Sequence, residues 1–532
     1  MADNMGSPAG GIADRSPYFS QQDLDPLSKL RSDPSSAYRA AQLKDDQDAT
    51  KERRIAQAMT DQAFTPMSIH EIRIHGASNT RRNFLGPLID PLIAGKPESP
   101  STIGEVMGML QVTNAKLSGL QSFQPNPEIF MVSSQQTDPS TSPHDVDIDI
   151  RLRELPRFKL QTGTDVGNGE GSAYGSLLWR NIFGGAEMLS LNARTGTRTR
   201  SSYTANLSAP VLSDPNMRVS IEGVASAADK PWASHEEAVK GATARFSWLN
   251  AARDSLSVEY SGSWRQVTGL GSAASPTVRA DAGDSIKSAI KSTFYRDRRD
   301  NPQLPQTGYM VRSSLEVAGL GPLGGDVAFS KAECEVGGAL PLPLPGVEAR
   351  STGISVGGGL RMGLLCPLPL GFSSGTNSLP SRINDRFQLG GPTDVRGFQL
   401  CGLGPHDGQD SVGGDAFAAG SVNVLLPLPY RGPESGLRFQ LFANGGRLVA
   451  LRKPGGGDGG GKAMDASTVA RGVAGAVENI AGGGLPSLAT GFGLVYAHPV
   501  ARFELNFSLP MVLRRGEVGT KGLQFGVGIN FL

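Results

Sequence analysis

The chain has 532 residues, with 51 Lys and Arg against 50 Asp and Glu, so its net charge is close to zero at pH 7. This balance argues against a dedicated nucleic-acid-binding protein, whose binding domain is usually clearly basic. Three cysteines, none of them in a C-x-x-C pair, exclude a disulfide framework and a zinc finger. The absence of an apolar run of about 18 residues excludes a helical membrane protein but not a membrane β-barrel, whose strands alternate apolar and polar residues.

Residues 1–67 are polar and are expected to be disordered or partly helical. The first fourteen residues, MADNMGSPAGGIAD, contain no basic region followed by an apolar core. They also do not resemble the arginine-rich, acid-poor helix of a matrix-targeting presequence. We therefore expect neither a secretory signal peptide nor a matrix presequence.

Residues 68–154 predict a small α+β domain with the order β-α-α-β-β. Alternating apolar residues indicate the strands, and apolar residues at intervals of about four indicate the helices. No catalytic group of residues is recognised in this domain. The predicted elements cover residues 69–74, 84–93, 103–120, 128–133 and 145–152.

Residues 155–532 alternate apolar and polar side chains to the end of the chain. A typical segment places Phe503, Leu505 and Phe507 between polar residues. We count about sixteen such segments, an even number as in up-and-down transmembrane barrels. Many reach about ten residues, long enough for a tilted membrane-spanning strand and longer than most soluble strands. A soluble propeller or sandwich also alternates, but no blade-length repeat is visible, so an all-β transmembrane barrel is predicted.

The longest interruption of this alternation is a loop at residues 364–414. An excursion of roughly 50 residues in a compact domain is seldom structureless. We therefore predict a functional loop or one that plugs the lumen of the barrel.

Several short motifs imitate catalytic or binding sites without their structural context. The glycine tract at 456–462 resembles a phosphate loop but lacks the Ser or Thr after its lysine. The G-x-S-x-G match at 371–375 follows prolines rather than a strand that leads into a helix. His406, Asp410 and Asp415 lack the spacing of an EF-hand, and the six histidines form no ligand group. We expect no enzyme activity, no cofactor and no metal site.

Two segments are more specific. Residues 387–398 read F-x-L-G-G-x-x-x-V-R-G-F, and residues 180–187 read RNIFGGAE. With the single N-terminal module, which is similar to one POTRA domain, they make the chain resemble the BamA superfamily of outer-membrane barrel assembly proteins. More narrowly, the chain resembles the core barrel subunit of the mitochondrial sorting and assembly machinery (SAM). The missing export signal agrees with a mitochondrial member, and a chloroplast-envelope protein-translocating relative fits the single module less well.

The resemblance implies a role for the arginine of the V-R-G-F motif. In that family it reaches into the lumen and contacts acidic residues on the twelfth and thirteenth strands. The matching positions here are Asn423 and Asn444, so amide hydrogen bonds, weaker than an ion pair, are the candidate contacts of Arg396. Three acids could replace them: Asp385, Asp394 and Glu504. The motif residues are Gly390, Gly391, Val395, Arg396, Gly397 and Phe398.

The resemblance also implies an insertase that folds β-barrel precursors into the mitochondrial outer membrane. In hydrocarbon every backbone polar group needs a partner, so an opened seam between the first and last strands would offer an edge for a client strand. The last strand matches the family's sorting signal, polar-x-Gly-x-x-hydrophobic-x-hydrophobic. The expected partners are barrel precursors, peripheral SAM subunits and membrane lipid, without nucleic acid. The predicted seam residues are Phe158, Leu160, Thr162, Gln524, Gly526, Ile529 and Phe531.

A passive solute pore of an outer membrane is the competing function, because a pore is also a barrel. A diffusion pore needs neither the N-terminal module nor a long loop with the V-R-G-F motif. Both features favour the insertase.

Overall fold

The computed structural model describes residues 63–93, 101–167, 170–319, 324–343, 352–369, 378–429, 435–451, 464–498 and 501–528. The predictions for residues 1–62, the motif at 371–375, the glycine tract at 456–462, Ile529 and Phe531 lie outside these residues. No helix within the described ranges is long and apolar enough to span a membrane.

The N-terminal part contains a four-stranded sheet in the order β2-β1-β4-β3 and two helices. Its element order is the predicted one with an added two-residue strand, β2. The apolar helix positions Leu88 and Leu117 are buried, as are Ile148 and Ile150 on β4. These positions follow the periods of the helix and the strand, which explains why the sequence pattern locates them. The elements are β1 (Pro66–His75), α1 (Arg82–Ile93), β2 (Ser101–Thr102), α2 (Ile103–Gly119), β3 (Glu128–Ser133) and β4 (Asp145–Arg151).

In the described part of the remaining chain, sixteen strands form one antiparallel sheet, in agreement with the predicted number of about sixteen. Each strand pairs with its neighbour along the chain, except that a long loop with its own short hairpin separates β15 from β18. The strands are β5 (Phe158–Gly167), β6 (Glu170–Arg180), β7 (Met188–Gly196), β8 (Thr199–Val211), β9 (Asp214–Lys230), β10 (His235–Leu249), β11 (Ser255–Thr268), β12 (Gly283–Asp297), β13 (Gly308–Ala318), β14 (Phe329–Pro341), β15 (Ser355–Pro367), β18 (Ala416–Pro427), β19 (Leu437–Val449), β20 (Ser487–Ala497), β21 (Arg502–Val512) and β22 (Gly522–Gly528).

Shorter elements lie in the connections of this sheet. They are α3 (Pro276–Ala280), the hairpin β16 (His406–Asp407) and β17 (Asp410–Ser411), and α4 (Ala466–Gly482).

The two faces of the sheet have the opposite character to those of a water-soluble protein. On β21, Arg502 and Glu504 are buried, whereas Leu505 between Glu504 and Asn506 is 45% exposed. The same inversion holds on β22, where Phe525 is exposed and the adjacent Gly526 is buried. A soluble sandwich or propeller buries its apolar face instead, so this arrangement contradicts both soluble alternatives. Apolar residues directed outward and polar residues directed inward are typical of a barrel wall in a membrane.

The long loop packs against the enclosed face of the sheet. Strand β15 continues to Pro367, because Leu364 pairs with Ala416 of β18; residues 364–367 are therefore strand and not loop. Apolar loop residues join wall residues in one buried cluster, which gives the loop a defined position. The loop members are Phe387, Leu389, Val395, Phe398 and Leu403, and wall members include Phe417, Leu448 and Ala489.

Candidate functional site at the loop motif and the last strand

Arg396 forms a fully buried ion pair with the wall. Its Nε lies 2.8 Å from Glu504 Oε2 and its Nη2 lies 3.1 Å from Oε1, and both side chains are 0% exposed. Its guanidinium carbon is 5.2 Å from the centre of the Phe442 ring. A two-pronged contact of this kind fixes the orientation of the arginine as well as its position. The loop motif is therefore attached by charge to β21.

Glu504 is the centre of a small polar network. Arg502 Nη2 lies 2.6 Å from its Oε1, and Asn506 Nδ2 donates to its Oε2 at 2.7 Å. Arg502 also donates to Gln440 Oε1 at 2.8 Å. Directly across the ladder from Glu504 lies Gly526, so β22 presents no side chain at that position. Each oxygen of this carboxylate thus accepts two hydrogen bonds, which is what a buried carboxylate requires.

The two asparagines named from the family pattern lie in different surroundings. In the amide orientation that satisfies its neighbours, Asn444 accepts from the Arg396 backbone N–H at 2.6 Å and donates to the Arg396 carbonyl at 3.2 Å. Asn444 thus holds the backbone of the motif. Asn423 lies beside Gly357 of the neighbouring strand. The guanidinium's acidic partner in the structure is Glu504, on the fifteenth strand rather than the twelfth or thirteenth.

Gly397 permits the chain to turn directly after Arg396. Its φ is +86°, in the region that favours glycine, and a Cβ there would overlap the side chain of Ala489. Upstream, Gly390 and Gly391 also have positive φ, and the Gly390 N–H donates to Asp394 at 2.8 Å. Asp394 pairs with Arg361 at 3.0 Å. These contacts give the motif one backbone conformation.

The motif contacts the last strand directly. The Gly397 N–H donates to Gln524 Oε1 at 2.8 Å, and Gln524 Nε2 donates to the Phe398 carbonyl at 3.1 Å. The connection before β22 adds backbone pairing, with the Thr520 N–H donating to the Gly397 carbonyl at 2.9 Å. The sequence placed the loop motif and Gln524 in two separate predicted sites. The structure brings them together as one site.

Asp385 forms a second anchor of the loop. Its carboxylate receives two hydrogen bonds from Arg265, at 2.6 and 3.1 Å, and one from Lys287 at 3.4 Å. Burial raises the pKa of Asp385, but Arg265 and Lys287 outweigh this and hold the pKa below its usual range. Asp385 was named as a substitute partner of Arg396, and its partners in the structure are these two wall residues. A polar residue on the inner face of β11 was the available signal, but alternation does not reveal which loop residue lies opposite.

The strands at the predicted seam occupy the two ends of the sheet order. Phe158 and Leu160 on β5 are 59% and 71% exposed, and Thr162 is exposed as well. Within the described ranges the sheet runs from β5 to β22 without a ladder between these two strands. Gln524 and Gly526 on β22 pair with Asn506 and Glu504 of β21. Sequence reasoning thus placed Gln524 and Gly526 on the strand that carries the contact with the loop.

One group in the N-terminal part has atoms suited to metal binding. Ligand atoms of His70, Glu71 and Asp147 lie within 4.8 Å of one another. His70 Nδ1 is 3.1 Å from Asp147 Oδ1, and Ser134 donates to the same oxygen at 2.8 Å. These hydrogen bonds account for the burial of the Asp147 carboxylate without an ion.

The chain is similar to known proteins over most of its length. The Omp85 superfamily domain matches residues 181–531. The SAM50-like protein of Schizosaccharomyces pombe is 36% identical over 481 residues, which are 90% of this chain and 94% of the relative. Sorting and assembly machinery component 50 homolog A of Xenopus laevis is 31% identical over 84% of this chain and 89% of its own. BamA from Haemophilus ducreyi lacking POTRA domains 1–3 has a TM-score of 0.65 at 13% identity, covering 87% of this chain and 84% of that one, a likeness of fold.

Proposed function

Because the chain belongs to the SAM50 family within the Omp85 superfamily, with a transmembrane β-barrel and a POTRA-like N-terminal domain, we propose that it folds and inserts β-barrel precursor proteins. It lies in the mitochondrial outer membrane as a multi-pass barrel. Its proposed partners are the precursor proteins and the peripheral subunits of a sorting and assembly complex. The proposal assigns it no enzymatic reaction.

The observation that carries this proposal is the contact between Gln524 and the loop motif. One amide side chain of the last strand receives the Gly397 N–H and donates to the Phe398 carbonyl. Any strand that presents an amide at the same height could make the same two hydrogen bonds. The loop motif therefore offers a binding site for a polar side chain on a β-barrel strand, and in the resting protein the protein's own last strand occupies this site.

A client strand would enter in the following order. The polar residue of the client first replaces Gln524 at the loop motif, and β22 moves away and leaves its place to the client strand. The client's free edge then pairs with β5, whose outer edge has no ladder to β22 within the described ranges. Backbone groups that would otherwise enter hydrocarbon unpaired, at several kcal/mol each, are satisfied throughout. This is β-augmentation, used to template a new barrel.

Site-specific photo-crosslinking tests this route. A photo-reactive residue replaces Leu160 on β5, and in a matched variant it replaces Leu315 on β13, since both leucines are exposed on the outer face. During import of a radiolabelled barrel precursor, we expect adducts at 160 whose yield falls when the polar residue of the precursor's last strand is changed to alanine. Equal adduct yields at positions 160 and 315 would contradict the proposal that the client strand pairs with β5.

The passive pore predicts a different measurement. In planar bilayers a pore gives a steady ion conductance without any client protein, whereas a barrel whose lumen is filled by a packed loop conducts few ions. The buried cluster that joins Val395 and Phe398 to the wall supports the insertase. A large steady conductance of the purified chain, unaffected by precursor peptides, would favour the pore.

A further inference from the structure

The outer face of the first six strands contains an apolar groove. It has a volume of about 750 Å³ and is bordered by large side chains such as Leu160, Leu191 and Tyr203. Its floor consists of small residues from adjacent strands: the register pairs Gly175 with Ala193 and Ala205 with Gly223, and it places Ala225 across from Tyr203. The floor residues include Gly175, Ala193, Ala205, Gly223 and Ala225.

This groove lies on the lipid side of the wall. On β8 the exposed Tyr203 and Leu207 share the face of Ala205, and on β9 the exposed Val219 and Ile221 share the face of Gly223. Because this part of the face carries small side chains in place of large ones, it forms a depression that extends over several strand spacings. A lipid tail fits such a depression because both surfaces are apolar.

Among the described residues that line the groove, one is a cation. Lys240 lines it from β10, with its Nζ 5.3 Å from the centre of the Trp264 ring on β11. Within the described ranges no carboxylate forms an ion pair with Lys240, in contrast to Lys287, which pairs with Glu316. Lys240 is six residues into β10, close to the β9–β10 turn, where a lysine and a tryptophan suit the headgroup level of a bilayer.

We propose that the groove binds one anionic phospholipid, with an acyl chain on the small-residue floor and the phosphate at Lys240. The charge decides between occupants. A second copy of this chain or an apolar partner helix would bury the Lys240 ammonium without a counter-charge, which is costly. An anionic headgroup supplies that charge while its tail covers the apolar floor. The proposal uses the membrane-spanning barrel and does not depend on how clients enter.

Native mass spectrometry of the full-length, delipidated protein tests this site. The protein is titrated with dioleoylphosphatidylglycerol or with dioleoylphosphatidylcholine, which differ in headgroup charge and share their acyl chains. We expect the first phosphatidylglycerol to bind more tightly than phosphatidylcholine. Lys240→Gln should weaken it about fivefold, the effect of one basic residue near a membrane surface, and leave phosphatidylcholine binding unchanged.

The matched control is Lys291→Gln, on β12. Lys291 lies between Ile290 and Ser292 on this strand. Because Ile286 and Ile290 are exposed on the outer face, the Lys291 side chain points to the opposite face. This variant should bind phosphatidylglycerol like the wild type. Equal affinity of the wild type for the two lipids, an unchanged Lys240→Gln variant, or a dimer that excludes lipid would each overturn the proposal. Shifted gel mobility of the unheated barrel verifies that each variant is folded.

Discussion

Two buried ionic anchors of opposite polarity attach the described part of the long loop to the barrel wall. At the first anchor the loop supplies the acid, Asp385, and the wall supplies Arg265 and Lys287. At the second the loop supplies the base, Arg396, and the wall supplies Glu504. An exchange of the two loop segments would place Asp385 beside Glu504 and Arg396 beside Arg265, so the reversed polarity disfavours that exchanged arrangement.

The anchors also differ in what lies beside them. The first is on β11 and β12, in the middle of the sheet, whereas the second is on β21, the partner of the last strand. At the second, the adjoining loop residue Gly397 hydrogen-bonds to β22 through Gln524. We infer that the first anchor holds the loop and that the second couples the loop to the last strand, β22. The following predictions test this division, from the largest effect to the smallest.

Arg396→Ala should have the largest effect on stability. It leaves the buried Glu504 short of its two-pronged partner, and breaking a buried pair by removing one member costs about 3–5 kcal/mol. The measurement is thermal unfolding in detergent, followed by gel mobility and circular dichroism. Arg361→Ala is the control, since it removes a partly exposed pair with Asp394 worth about 1 kcal/mol or less. Equal losses in the two variants would contradict a special role for the second anchor.

Asp385→Asn should destabilise the barrel by about 3 kcal/mol, because Arg265 keeps a buried charge that lacks its carboxylate. Client insertion per folded molecule should fall less than in Arg396→Ala, since this anchor is remote from β22 along the sheet order. The assay is insertion of a radiolabelled precursor into vesicles that contain equal amounts of folded barrel. If insertion falls equally in both variants, the division between a holding and a coupling anchor is wrong.

Gly397→Ala should cost about 1–3 kcal/mol, because the residue would keep a positive φ and overlap Ala489. The control is Gly262→Ala on β11, where an added Cβ meets nothing within 4 Å. Urea unfolding of the two variants in vesicles gives the comparison. A wild-type midpoint for Gly397→Ala would show that the turn adapts without strain.

Gln524→Ala should reduce global stability by about 1 kcal/mol for each of two hydrogen bonds, less than either anchor variant. Its effect should be concentrated at the last strand, with amide hydrogen exchange at 522–528 accelerated about tenfold or more. Leu523→Ala, whose side chain points to the outer face, is the control and should leave this exchange near the wild-type rate. An unchanged exchange rate in Gln524→Ala would contradict the inference that Gln524 couples the loop motif to the last strand.

The strand pattern was readable from the sequence because burial in a barrel depends on which face a residue occupies. Alternation with period two places Phe503 and Leu505 outside and Glu504 inside whatever the strand pairs with. The number of strands and the inverted faces follow from the same rule. The loop motif was identifiable because its glycines and arginine occur in one contiguous segment, and its family resemblance agrees with the Omp85 match.

The partners across the barrel were decided by the tertiary structure. Alternation shows that Glu504, Asn423 and Asn444 point inward, but not which of them lies at the height of Arg396. That height depends on the register of the ladders and on the path of the loop. Both are set by contacts between residues that can be more than 100 positions apart in the sequence. The small-residue groove has the same origin, since its named floor residues come from four strands. The sequence alone thus determines which face of a strand each side chain occupies, because this is a local property. Which side chains contact each other across the barrel depends on how the strands and the long loop pack together.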